Sequence, residues 1–204
     1  MIQIERILAG SLELFFKAGI KSVTMDDIAK HLGISKKTIY QFFTDKNELV
    51  IALVRKRMQD DECQMKDIME QSSDVIERML NMMKCSEDIF SRINPILIHD
   101  LQKYHPEAWA VFQEFKAGVV IRTLEQLLSE GVTQGYIRPD IDVKVMARMR
   151  MHQVELGFNT AVFPLAEFSP WQVQYQFLEH FNYGICTLEG YKLLEQHKNV
   201  KKEE

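Results

Sequence analysis

Apolar residues recur in this chain at the α-helical period from one end to the other, and no segment alternates as a half-buried strand would require. Ile4, Ile7, Leu8, Leu12, Phe15 and Phe16 share one face of a first helix, and Gly19 is placed to terminate it. Thr24 then caps a second helix, with Asp27 three positions on in an arrangement close to a capping box, and Ile28 and Leu32 form its inner face. Ala29 and Gly33 supply the low bulk and the left-handed turn that a helix-turn-helix crossing needs. Ser35 caps a short third helix whose Ile39 and Phe43 can point inward, leaving Lys36, Lys37, Tyr40 and Gln41 outward. Asp45 opens a fourth helix with Glu48 as its box partner, continuing without Gly or Pro to about Ser72. Further helices are predicted at 74–91, 93–103, 106–130, 142–163 and 169–197, punctuated by Pro95, Pro106, Pro139, Pro164 and Pro170. The expectation is an all-α protein: an N-terminal three-helix helix-turn-helix head over 1–48 and a C-terminal helical bundle over 49–204.

Charge divides along the same line. Residues 1–57 carry ten Lys/Arg and six Asp/Glu, whereas the remaining residues carry fifteen and twenty-three, so a basic head sits on an acidic body. That asymmetry suggests an anionic partner at one end. Cations also stand where the helix dipole disfavours them, with Lys36 and Lys37 in the first turn of the third helix and Lys46 in that of the fourth. Each such placement costs about 0.3–1 kcal/mol unless something negative lies nearby.

Other classes find little support. The chain has no GxSxG elbow, P-loop, HExxH or Rossmann fingerprint, so no enzyme chemistry and no cofactor are expected. Cys63, Cys85 and Cys186 are odd in number and far apart, without metal-ligand spacing, and read as reduced thiols. His99, Asp100 and His105 in "HDLQKYHP" do not share one helical face and read as a surface loop rather than a metal site. No apolar run reaches the roughly 18 residues of a membrane span, and no leader pattern opens the sequence, so the expected compartment is the cytoplasm.

Residues 3–50, centred on "ILAGSLELFFKAGIKSVTMDDIAKHLGISKKTIYQFFTDKNELV", resemble the DNA-binding head of the TetR family of bacterial transcriptional regulators. The likeness lies in a helix ending in an aromatic pair and "AG", a threonine before "DDIAKHLGIS", then T-I-Y-x-F-F and a lysine before the fourth helix. The body is less diagnostic, although "EGVTQGYIRPDIDV" resembles a common connection there. The resemblance implies an all-helical homodimer binding a roughly palindromic double-stranded DNA operator, with repression as the usual outcome. By position in the family motif, Lys36, Lys37, Tyr40 and Gln41 match places that approach bases or nearby backbone, and Thr24, Ser35, Thr38, Tyr40 and Lys46 match phosphate-contacting places. Inserting the cationic leading end of the third helix into the major groove would then offset its charge. Phe42 departs from the polar residue some members carry, and is expected to pack.

The body is read as the dimerisation and sensing part. Segments 142–163 and 169–197 are apolar on more than one face, which requires two burial partners, and a four-helix interface between subunits through these last two long helices meets that need. Met149, Phe158, Tyr175, Leu178, Phe181 and Ile185 are its expected contacts, with Gly157 and Gly184 permitting close approach. Met65, Met69, Met82, Phe90, Trp109, Phe112 and Phe158 are candidates for an adaptable apolar cavity, suited to a small hydrophobic effector. The competing reading is a DNA-binding regulator controlled by a protein partner, or one without a small-molecule effector.

Overall fold

The computed structural model describes the backbone of residues 2–92 and 95–200, and the side chains of 3–87, 91 and 95–199. It is helical: α1 (Ile2–Ala18), α2 (Met25–Leu32), α3 (Lys36–Tyr40), α4 (Lys46–Gln71), α5 (Val75–Arg92), α6 (Pro95–Tyr104), α7 (Pro106–Phe115), α8 (Ile121–Thr133), α9 (Val143–Gly157), α10 (Pro170–Ile185) and α11 (Leu188–Val200). A single antiparallel bridge, Ile137 to Cys186, is the β pairing among the described residues. None of the described helices is long and apolar enough to cross a membrane. The chain divides into two compact units, Met1–Glu62 with Arg92–Lys116, and Cys63–Ser91 with Ala117–Glu204, each built around its own core.

In the first unit the head shares its core with α6 and α7. Ile7 and Phe15 of α1, Ile28 of α2, Ile39 of α3 and Leu49 and Val50 of α4 are buried, and Leu101 and Ala108 join them. Burying a side chain of this size stabilises by about 1.5–3 kcal/mol. Gly19 ends α1 at φ 78°, its N–H donating to the Phe15 carbonyl at 2.9 Å. A Cβ there would also meet Asp100 Oδ2 and Ile96 Cγ2 at 2.9 Å, so the glycine admits α6 to the end of α1. Asp100 Oδ2 accepts the Lys21 backbone N–H at 2.7 Å, and His105 Nδ1 lies 2.9 Å from Asn47 Oδ1. The surface-loop reading of these residues is therefore corrected: Asp100 lies within α6, Asp100 and His105 are buried, and they tie α6 and the start of α7 to the head. Only His99 is exposed as expected.

The second unit packs α8 and α10 against α9 over Ile76, Leu127, Leu128, Ile137, Ala147 and Leu194. The 106–130 segment is helical throughout, as its periodicity suggests, and contains a π-helical turn at Lys116–Val120, around Gly118, between α7 and α8. Two other segments read as single helices end or divide earlier than their periodicity suggests. The 142–163 segment leaves helical geometry at Phe158, and Phe163 packs edge-on against Phe168 and Phe177. The 169–197 segment breaks at Cys186, which is extended at φ −71°, ψ 146°. The cause of this last break is tertiary. The 136–138 strand-like stretch takes the hydrogen bonds that a continuing helix would keep: Arg138 N–H donates to the Ile185 carbonyl and Thr187 N–H to the Tyr136 carbonyl, both at 2.9 Å. Thr187 then restarts the helix by accepting the Gly190 N–H at 3.1 Å.

Gly190 is the residue this crossing depends on, since an added Cβ would lie 2.0 Å from the Tyr136 carbonyl oxygen. Gly184 meets nothing within 4 Å, so the close approach anticipated for it does not occur within the chain. Gly190→Ala is expected to destabilise by more than about 2 kcal/mol, because backbone must shift to admit the methyl. Gly184→Ala should be neutral or stabilise by up to about 1 kcal/mol through helix propensity. Urea denaturation of the two variants beside the wild type measures the contrast.

Candidate nucleic-acid interface

The head presents α3 through a sequence of local caps. Thr24 Oγ1 accepts the Asp27 N–H at 3.2 Å, and the Asp27 carboxylate accepts the Thr24 N–H at 2.8 Å and its hydroxyl at 2.6 Å, completing the box at the start of α2. Gly33 closes α2 in the left-handed region at φ 64°, and Arg6 Nη2 donates to the Leu32 carbonyl at 2.7 Å, a C-terminal restraint that periodicity does not reveal. Ser35 Oγ accepts the Thr38 N–H at 3.1 Å, with the two hydroxyls 2.8 Å apart. At the next helix Asp45 accepts the Glu48 N–H at 2.8 Å, while the Glu48 carboxylate reaches past Asp45 to the Thr44 N–H and hydroxyl.

These restraints leave one face of α3 outward. Lys37 and Gln41 are exposed and Tyr40 is 44% exposed, whereas Ile39 and Phe43 are buried beneath them. Phe42, expected to pack, is instead 38% exposed: it falls in the turn after α3, where Phe43 takes the inward position. An aromatic ring therefore stands on the same short stretch as the exposed Tyr40.

The three cations at helix starts have different partners. Lys36 Nζ donates to Asp26 Oδ2 at 2.7 Å, and that bond raises the lysine's pKa. Part of the offset anticipated from a polyanion is thus supplied by α2, although an exposed pair of this kind is worth little. Lys46 is half-buried; its ammonium donates to the Ile20 carbonyl at 2.5 Å and lies 6.0 Å from the Phe15 ring, and burial lowers its pKa. It braces the link between α1 and α2 from within. Lys37 alone of the three stands exposed without an ion pair or hydrogen bond among the described residues.

The remaining predicted sites fall on both units. Trp109 and Phe112 pair at 5.1 Å at the margin of the first unit's core, and Met69 and Met82 pack against the second unit's core. Met65 and Phe158 are half-buried and belong to the second unit; the Phe90 side chain lies outside the described residues. Of the candidate dimer contacts, Phe181 and Ile185 are buried in the chain's own core and present no surface to a partner. Tyr175 and Leu178 are half-buried, and Met149 is 39% exposed.

Residues 7–53 match the family model described as bacterial regulatory proteins, tetR family. The head is a TetR-family head. Members of that family are transcriptional regulators rather than enzymes. Among relatives of this chain, an uncharacterised HTH-type transcriptional regulator of Bacillus subtilis, YvaF, is 34% identical over 112 residues, covering 54% of this chain and 58% of that protein. The HTH-type transcriptional repressor KstR2 of Mycobacterium tuberculosis is 25% identical over 66% of this chain and 69% of its own. The fold is shared with FadR of Bacillus subtilis, solved in complex with stearoyl-CoA, at a TM-score of 0.66 and 19% identity over 89% of this chain and 98% of that one.

The caps make the head sensitive to acid. Hydrogen bonds from the Thr24 side chain and backbone hold the Asp27 carboxyl below its usual pKa, and the Thr44 backbone and side chain do the same for Glu48. A carboxyl whose folded pKa is depressed stabilises fully above its unfolded value, and the contribution disappears as pH falls through the folded one. Stability should therefore drop through and below the ordinary carboxylate range, with a shallower drop in Asp27→Asn. Urea midpoints across an acid pH series read both slopes.

Proposed function

We propose that this chain is a TetR-family regulator that binds a palindromic DNA operator as a homodimer, represses transcription in the cytoplasm, and is released by a small, largely apolar effector. On this reading residues 1–48 bind DNA and 49–204 dimerise and sense. The observation that carries it is the outward face of α3, where Lys37, Tyr40 and Gln41 stand free while caps at Thr24, Gly33 and Ser35 and the buried Ile39 hold the backbone behind them. Such a face can enter a major groove, with Lys37 and Gln41 reading base edges and Thr24, Ser35, Thr38 and Tyr40 lying among phosphates. Lys36 can exchange Asp26 for a phosphate, since the pair it leaves is exposed.

The dimer reading is supported by α9, whose Val145, Met149 and Leu156 are exposed apolar residues at helical spacing. With Phe181 and Ile185 occupied in the core, that stripe is the surface we assign to the partner, together with the half-buried Tyr175, Leu178 and Phe158. The effector reading draws on FadR bound to stearoyl-CoA, an acyl ligand with a long apolar part. Met65, Met69, Met82 and Phe158 remain the candidates for this role in the second unit.

The experiment begins by recovering genomic fragments that bind the purified protein, then titrates a recovered duplex and a scrambled one at several salt concentrations. Lys37→Ala should weaken specific binding by about 1–3 kcal/mol and relax base preference. Lys46→Ala should weaken binding to both duplexes, and should also lower thermal stability because the Ile20 carbonyl loses its donor. Wild-type protein that shows no salt-sensitive attachment to any duplex would sink the proposal.

A further inference from the structure

The second unit contains a charge without a partner. Arg150 of α9 is 6% exposed, and among the described residues its guanidinium has neither an ion pair nor a hydrogen bond; Nη1 is sealed from solvent. The acids that could have served it are engaged elsewhere. Glu125 of α8 pairs with Arg148 at 2.6 Å and Glu130 with Arg78 at 2.5 Å; Glu155 of α9 lies 3.0 Å from His152, and Glu179 of α10 pairs with Lys198 at 2.8 Å. These are all the carboxylates of α8, α9 and α10. Burial lowers the Arg150 pKa to about 10, which still leaves it cationic at neutral pH.

Further unpartnered groups lie on the same two helices. Gln174 of α10 is 1% exposed and donates through Nε2 to the Val154 carbonyl at 2.7 Å, which leaves its buried Oε1 without a donor. Gly157 makes room for that amide, since a Cβ there would lie 2.4 Å from Nε2. Gln153 Oε1 is likewise buried and unpartnered. Arg150, Gln153, Val154 and Gly157 follow one another at the i, i+3, i+4, i+7 spacing that places residues along one side of a helix. Ala147, one turn before Arg150, belongs to the apolar core with Phe181. Buried charges are normally paired, and unpaired ones are strongly destabilising. The remaining buried orphan among the described residues, Arg78 Nε, belongs to a guanidinium already paired through Nη1 with Glu130.

We propose that Arg150 is the anchor for an anionic oxygen group, a carboxylate or phosphate, carried by an effector with an apolar body, and that Gln153 and Gln174 receive hydrogen-bond donors next to it. The proposal rests on the effector part of the function proposed above and gives that effector a charge. Nη1 alone of the guanidinium nitrogens is both sealed and unpartnered, so an anion would meet the group through the remaining nitrogens.

The test uses the full-length protein without DNA, by calorimetry and thermal shift, with decanoate, decyl phosphate and 1-decanol as probes. Wild type should bind at least one of the two anions about tenfold or more tightly than the alcohol, as a charge-assisted pair in a buried site requires. The anion that wins identifies the source chemistry. Arg150→Met should erase that preference while leaving 1-decanol binding unchanged, and should melt at a higher temperature than wild type when no ligand is present, because it removes an uncompensated charge. Arg150→Lys, which keeps the charge and loses the guanidinium fork, should retain part of the preference and guards against a folding defect in the methionine variant. Equal binding of alcohol and anions, no binding of either anion, or an anion preference that survives Arg150→Met would each overturn the assignment. These readouts involve no nucleic acid, so their failure leaves the DNA-binding reading standing, and a failure to bind DNA leaves the Arg150 result standing.

Discussion

A helix of five residues cannot hold itself together in water, since nucleation alone is unfavourable and isolated helices shorter than about 12–15 residues are marginal. α3 is such a helix, and the rest of the head exists to impose its shape. Ile39 and Phe43 press it onto the core formed by α1, α2 and α4, Ser35 satisfies a donor at its start, and Gly33 sets the direction of entry. The outward residues inherit their orientation from that burial. Lys37, Tyr40 and Gln41 need no contacts of their own to be positioned, which leaves their polar groups available to a ligand.

The division of labour between the three lysines follows from the same constraint. A cation near the head can stabilise the scaffold or serve a partner, and the local geometry determines which. Lys46, drawn inward by the Ile20 carbonyl and the Phe15 ring, strengthens the link between α1 and α2 at the cost of partial desolvation. Lys36 has an acid ten residues back and remains in solvent. Lys37 is exposed and has neither kind of partner among the described residues. Sequence proximity alone would have treated the three as equivalent.

What could be read from the sequence was local. The Thr24–Asp27 box, the Gly33 turn, the Ser35 cap and the inward Ile39 and Phe43 are specified by neighbours within a few residues, and all four are seen. The features that escaped depend on distant partners. Asp100 meets Lys21 across 79 positions, so nothing near "HDLQKYHP" signals that its acid is structural. The 169–197 segment keeps a helical period through Cys186, yet residues 136–138 compete for its backbone hydrogen bonds and divide it. Phe181 and Ile185 illustrate the same limit: periodicity identifies an apolar face, but does not say whether its own chain or another covers it. Arg150 is the reverse case, a charged residue in an apolar helix that would ordinarily be assigned to solvent.

The joint between α6 and the head bears on how a regulator of this shape could be switched. Coupling between two sites requires an element whose position both of them bias, rather than mere proximity. Within the first unit, α6 meets that requirement on the head's side. Asp100 holds the Lys21 N–H where α1 gives way to α2, and Gly19 has no side chain because α6 occupies that space. His105 and Asn47 fasten the start of α7 to α4. A displacement of α6 or of the start of α7 therefore cannot leave the α1–α2 link and the start of α4 where they are: either these bonds break, exposing a buried carboxylate and a buried imidazole, or the head moves with them. Burial makes the first alternative costly, since a desolvated polar group left without its partner loses about 1–3 kcal/mol. The head is thus biased to follow, and the polar contacts of Asp100 and His105 that look like incidental packing are what tie it to α6 and α7.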